Sequence, residues 1–261
     1  MGKNISVEKI ASIVIGIVVV VALLFMFVFT ETVDYFSAVN ENSVPTYVAF
    51  RTQYPESSRL PKVKEKMKPL EAKYFEKKRT NNTLRAYEEF LRAYPDGVYT
   101  AEATRLRDSI LQIELDIEKY GNNVLEQGTL PYEKYYGANQ VAKTKFNADI
   151  DVTAPIAFDV VAVVRKENEL GDVVAHAYIR ADSTYTFRVD NGKYQVFFYI
   201  GKGWKPTKKM ENGVEGGFVR NETFSKDDPV SLANEVITYR VSMVQKNRRF
   251  KQSTRSEVLR K

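Results

Sequence analysis

The chain has 261 residues, a net charge of +6, one histidine and no cysteine. Without cysteine there are no disulfides, thiolate nucleophiles, iron–sulfur clusters or cysteine zinc sites, and one histidine excludes a multi-histidine metal centre. A hydrophobic content of 44% suits a folded chain rather than a disordered one.

From Ile10 to Thr30 the sequence IASIVIGIVVVVALLFMFVFT carries no charge. A helix of about twenty such residues spans the ~30 Å hydrocarbon core of a bilayer. The run is long, ends in bulky FMFVF and lacks an A-x-A site, which favours an uncleaved signal anchor over a cleaved signal peptide. Lys3 and Lys9 precede it and Glu31 and Asp34 follow. By the positive-inside rule residues 1–9 are cytoplasmic and the bulk lies outside, with Glu8 narrowing the margin. The expectation is a transmembrane helix over 10–30, through Ile10, Gly16 and Phe29, with the lipid bilayer as its partner. Ser12 and Gly16 form a small-xxx-small pair that suits helix dimerisation.

Residues 31–119 read as helical. Superposing two Tyr-Pro pairs aligns Tyr47 with Tyr87, Phe50 with Phe90, Tyr54 with Tyr94 and Val63 with Ala103, a period of about forty residues. Tyr87, Phe90, Leu91 and Tyr94 share one helix face, Pro95-Asp96-Gly97 ends that helix, and a second helix runs from about Thr100 to Lys119. The six aromatics at this spacing are core residues rather than a ligand platform. Over about residues 43–119 the pattern A-Y-x-x-F-L-x-x-Y-P-D, followed by a small-residue helix, resembles the tetratricopeptide repeat. The second copy fits well; the first departs at Arg51, Ser57, Ser58 and Pro61. The resemblance implies an array that binds protein segments. Two repeats are fewer than a stable stack needs, so residues 31–42, the connector or a second subunit must supply packing.

Residues 120–147 form a connector, ordered by Tyr132, Tyr135 and Tyr136. From 148 to 261 the period becomes two. IAFDVVAVVRK, DVVAHAYIR, STYTFRV, KYQVFFYI and EVITYRVSMVQ read as strands, with an edge strand in RRFKQSTR and a hairpin at Asp190-Asn191-Gly192. Strands without intervening helices predict an antiparallel β-sandwich. The segments YIRADSTYTF, NGKYQVFFYIGKGW and GGF resemble a C-terminal domain of uncharacterised bacterial single-span membrane proteins, which carries no known activity. That resemblance and the anchor together imply a bacterial inner membrane, with the bulk in the periplasm.

Candidate sites are few. Trp204, flanked by Lys202 and Lys205, suits a loop that stacks on a glycan or docks a protein; the plainer reading is a tryptophan capping the sandwich. His176 lacks a serine elbow and reads as a packed strand residue. Asp149, Asp151, Asp227 and Asp228 read as turn and edge carboxylates, without EF-hand spacing. The basic tail, Lys246 to Lys261, reads as a solvated or frayed terminus, and the expected compartment argues against nucleic acid. No cofactor or metal is implied. The chain therefore reads as a non-catalytic, membrane-anchored extracytoplasmic scaffold or adaptor that binds protein or glycan partners. The alternatives are a structural subunit of a larger envelope complex, a cell-wall hydrolase and a cytoplasm-facing regulator.

Overall fold

The computed structural model describes residues 7–167, 171–242 and 250–260, without the side chains of residues 7–13, 22, 24, 27 and 28. The chain divides into two compact units, Met1–Leu111 and Gln112–Lys261.

The first unit is helical: α1 (Val7–Glu41), α2 (Val44–Gln53), α3 (Leu60–Met67) running into a 3-10 turn (Lys68–Leu70), α4 (Glu71–Asn81), α5 (Leu84–Ala93) and the start of α6 (Thr100–Tyr120). The anchor expected over residues 10–30 falls on α1. The side chains of Ile10 and Ser12 lie outside the described residues. Among the described residues no helix is long and apolar enough to cross a membrane. The expectations of a single-span signal anchor, an inner-membrane location and a periplasmic bulk are corrected accordingly. Gly16 has open space around it and Phe29 is exposed.

The forty-residue period is a repeat of local geometry. Asn42 and Asn82 leave their helices in the left-handed conformation, at φ 48 and 44. Ser43 and Thr83 then cap the next helices, accepting from the Thr46 and Ala86 N–H groups at 3.4 and 3.2 Å. The Tyr47 and Tyr87 hydroxyls donate back to Oδ1 of those asparagines at 2.9 and 3.0 Å. Tyr54 and Tyr94 close the helices on the Phe50 and Phe90 carbonyls. All six aromatics are buried in one cluster. The correspondence reaches back before residue 43: Tyr35 and Phe75 join the same cluster, and Glu31 and Glu71 each receive the following inter-helix turn. Residues 31–42 thus contribute Tyr35 and Ala38 to the core of the helical unit.

The second unit holds the strands β1 (Asn147–Thr153), β2 (Asp159–Lys166), β3 (Val173–Ile179), β4 (Thr184–Asp190), β5 (Gly192–Lys209), β6 (Glu215–Lys226), β7 (Val230–Leu232), β8 (Val236–Arg240) and β9 (Lys251–Gln252), with short helices α7 (Glu133–Tyr136) and α8 (Arg255–Val258). One sheet has the order β4-β1-β8; the other has β3-β2-β5-β6-β9, with β7 added to β5. Ile150, Val152 and Phe187 of the small sheet meet Val160, Ala162, Val164 and Phe198 of the large one.

This departs from the expected antiparallel sandwich in three ways. β1 and β8 run parallel. Asn191 makes no hairpin, because β4 and β5 belong to different sheets; its amide side chain instead bonds Asn234 across the corner. The Asn-Gly hairpin is Asn212-Gly213, both at positive φ, joining β5 to β6. Finally, the large sheet is covered on both faces. Tyr132 of the connector and Val258 and Leu259 of the tail pack on the side away from β1, which is why β2 and β5 read as unbroken apolar runs.

The described part of the tail is therefore folded rather than frayed. Thr254 and Glu257 form a capping box, and buried Arg165 donates to the carbonyls of Val258 (3.4 Å) and Arg260. Lys251 pairs with Asp228 and Arg255 with Glu222, whereas Lys246, Arg248, Arg249 and Lys261 lie outside the described residues. Leu259→Ala is expected to destabilise the β unit by about 2–5 kcal/mol, the cost of truncating a fully buried leucine. Denaturant unfolding followed by Trp204 emission measures this; a frayed tail would give no change.

Candidate functional site

The segment GKGWKP lies inside β5 rather than in a loop, where Gly203 at φ 73 lets the backbone of Tyr120 and Gly121 come close. Trp204 is 3% exposed and packs edge-on against Tyr178 and Phe218 at 5.7 and 5.3 Å between ring centroids. It presents no open ring face for a sugar. Lys205 donates to Asp116 at 2.6 Å. Burial raises the Asp116 pKa, but the bonds from Lys205 and Gln112 outweigh it and leave the carboxyl lowered. Lys202 is exposed beside a small cleft of about 260 Å³ shared with Arg180. The three expected site residues therefore do not converge on one ligand.

His176 is 1% exposed, and its Nε2 accepts the Tyr132 N–H at 3.2 Å. Burial pushes its pKa down from 6.5 to about 4. Asp149 is held down by its hydrogen bonds from Arg188, and Asp151 accepts from Thr186. Among the described residues no three His, Asp or Glu side chains gather as a metal site would require.

A further candidate is a concavity in the helical unit. It is a groove of about 670 Å³ between α3 and the turn that follows α5. Val63, Met67, Ala93 and Tyr94 form its buried apolar floor. Leu60 and Pro61 line one side, and Val98, 85% exposed, stands on the other. Three long-range bonds hold the walls together. Arg51 donates to the carbonyls of Ala93 (3.2 Å) and Arg92, capping the end of α5, and the Tyr94 hydroxyl donates to the Met67 carbonyl at 2.9 Å. Gly97 lies directly over Glu71, where a Cβ would meet Oε1 at 2.2 Å, and that oxygen accepts the Tyr99 N–H at 3.1 Å. Glu71 is thus committed to fixing the turn. Lys64 and Lys68 give the α3 rim positive charge.

An apolar floor with a cationic rim suits binding of an apolar side chain. Sequence reasoning placed every floor residue in a helix or turn but not the groove itself. Its two walls lie some thirty residues apart in the chain, and the available signal was Val98, an apolar residue in an otherwise polar turn. No protein-family model, curated protein or solved structure matches the chain.

Two outcomes follow from the β unit. The unfolded chain titrates at His176 near 6.5 and the folded one near 4, so between these values the unfolded state holds more protons. Stability is complete above pH 6.5 and is lost as pH falls toward 4, by up to about 3 kcal/mol. Urea titrations across this window should show that slope in the native chain and a flatter one in His176→Gln; equal slopes would contradict it. Trp204, the only tryptophan, should emit as a buried indole, resist iodide quenching and ignore added oligosaccharides. A sugar-dependent shift would place a binding face there.

Proposed function

We propose that the chain is a non-catalytic scaffold whose helical unit binds a protein segment in the groove between α3 and the turn after α5. The observation that carries this reading is the apolar floor of Val63, Met67, Ala93 and Tyr94 beside an exposed Val98. A monomer rarely presents concave apolar surface without a use for it. The tetratricopeptide-like spacing of the same residues points to the same partner class, as helical arrays commonly bind peptide segments. Glycan recognition has no comparable support, since Trp204 is buried.

A second reading, a structural subunit of a larger assembly, is favoured by α1. Its Val14, Ile15, Leu23, Phe25 and Phe36 are more than half exposed. Co-purification of a fixed set of proteins that survives loss of the groove would support it.

Selection of a displayed random-peptide library on the full chain tests the groove, with mild detergent present to cover the apolar surface of α1. Peptides are expected to be enriched that bind Val98→Asp at least about tenfold more weakly, a loss of about 1.4 kcal/mol. The melting temperature should stay unchanged, because Val98 is a surface residue. Failure to enrich peptides, or equal binding to the variant, would refute the groove.

A further inference from the structure

We infer that the segment recognised by the groove is acidic, with apolar anchors set among aspartates and glutamates. This rests on the groove reading above. Residues 31–120 hold equal numbers of acidic and basic residues, yet the charge is segregated: residues 59–79 carry nine lysines and arginines against three glutamates. The groove rim belongs to this stretch.

Arg59, Lys78 and Arg79 pair with Glu31, Glu89 and Glu76, but the cations along α3 are poorly neutralised from within. Lys62, Lys64 and Lys66 are exposed and have no ion pair among the described residues, and Lys68 has only an exposed pair with Glu65. The Arg51 guanidinium, which also lines the groove, is bound to the carbonyls of Ala93 and Arg92. Those bonds satisfy donors but cancel no charge. Of the two carboxylates in the lining, Glu71 is buried under Gly97 and bound to the Tyr99 N–H. Asp96, on the opposite side, is the one exposed acid. A partner anchored on Val63 and Met67 would therefore meet Lys64, without an ion pair among the described residues, and Lys68, held only by its exposed pair, with Lys62 and Lys66 exposed on the same helix; complementary carboxylates there would speed and orient docking. Nucleic acid fits less well: Tyr94 lies buried in the floor and offers no exposed ring on which a base could stack.

The test uses three synthetic, fluorescein-labelled peptides, derived from one sequence that the library selection shows to be groove-dependent. They keep the same apolar anchors and carry acidic, uncharged polar or basic residues elsewhere. Fluorescence polarisation with the full chain is expected to rank acidic first, about tenfold tighter than the uncharged version, as the sum of a few exposed ion pairs. The gap should close in high salt. It should reverse in the triple variant Lys64→Glu, Lys66→Glu, Lys68→Glu, whose changes all lie at exposed positions and whose fold is checked by its melting temperature. Equal binding of the three peptides, or preference for the basic one, overturns the acidic assignment and leaves the groove standing. Loss of all three with no effect of Val98→Asp overturns both. An oligothymidylate that binds more tightly than the acidic peptide and is lost in the triple variant would assign the basic rim to nucleic acid and refute this inference.

Discussion

In each helical repeat a buried tyrosine hydroxyl reaches back to the asparagine that ends the preceding helix. The Tyr47–Asn42 and Tyr87–Asn82 bonds do two things at once. They satisfy a phenol that burial would otherwise strand, and they hold the asparagine in the left-handed turn that reverses the chain. Once that turn is set, Ser43 or Thr83 caps the next helix and Phe50 or Phe90 enters the core. The position of the turn after α5 then follows, because Tyr94 ends that helix and donates to the Met67 carbonyl of the preceding repeat. The groove is therefore a product of repeat packing. Its walls are held by Arg51, Tyr94 and Glu71, each hydrogen-bonded within the helical unit.

The β unit rests on a different constraint. Its large sheet has two apolar faces, and only one is covered by a second sheet. The connector tyrosines and the tail residues Val258 and Leu259 cover the other. Trp204, Tyr132 and His176 all lie in or against that second layer, so their chemistry is that of packing. His176 is kept neutral by burial, and Trp204 is boxed in by Tyr178 and Phe218.

Much of the helical unit was legible because the aromatic stripes follow a helical period and repeat at forty residues. Asn42-Ser43 and Asn82-Thr83 recur at the same spacing and mark the turns equally well, but a polar pair carries no periodic signal of its own. Glu31 and Glu71 were hidden for the same reason. In the β unit, strand existence was readable and pairing was not. Asn191-Gly192 and Asn212-Gly213 are the same dipeptide between similar strands. Only tertiary pairing decides that the first turns a corner between sheets and the second closes a hairpin. Burial of Trp204 agrees with the plainer reading of a tryptophan that caps the sandwich, whereas the loop expected around it is strand. The apolar run of residues 10–30 gave the most definite expectation, yet among the described residues no helix is long and apolar enough to cross a membrane.

The central claim is that recognition belongs to the helical groove. Hydrogen exchange of the full chain with and without a selected peptide tests this most directly. The account predicts slowed exchange confined to residues 60–68 and 93–99, with the β unit unchanged. Protection centred on residues 200–206, with the groove unaffected, would contradict it.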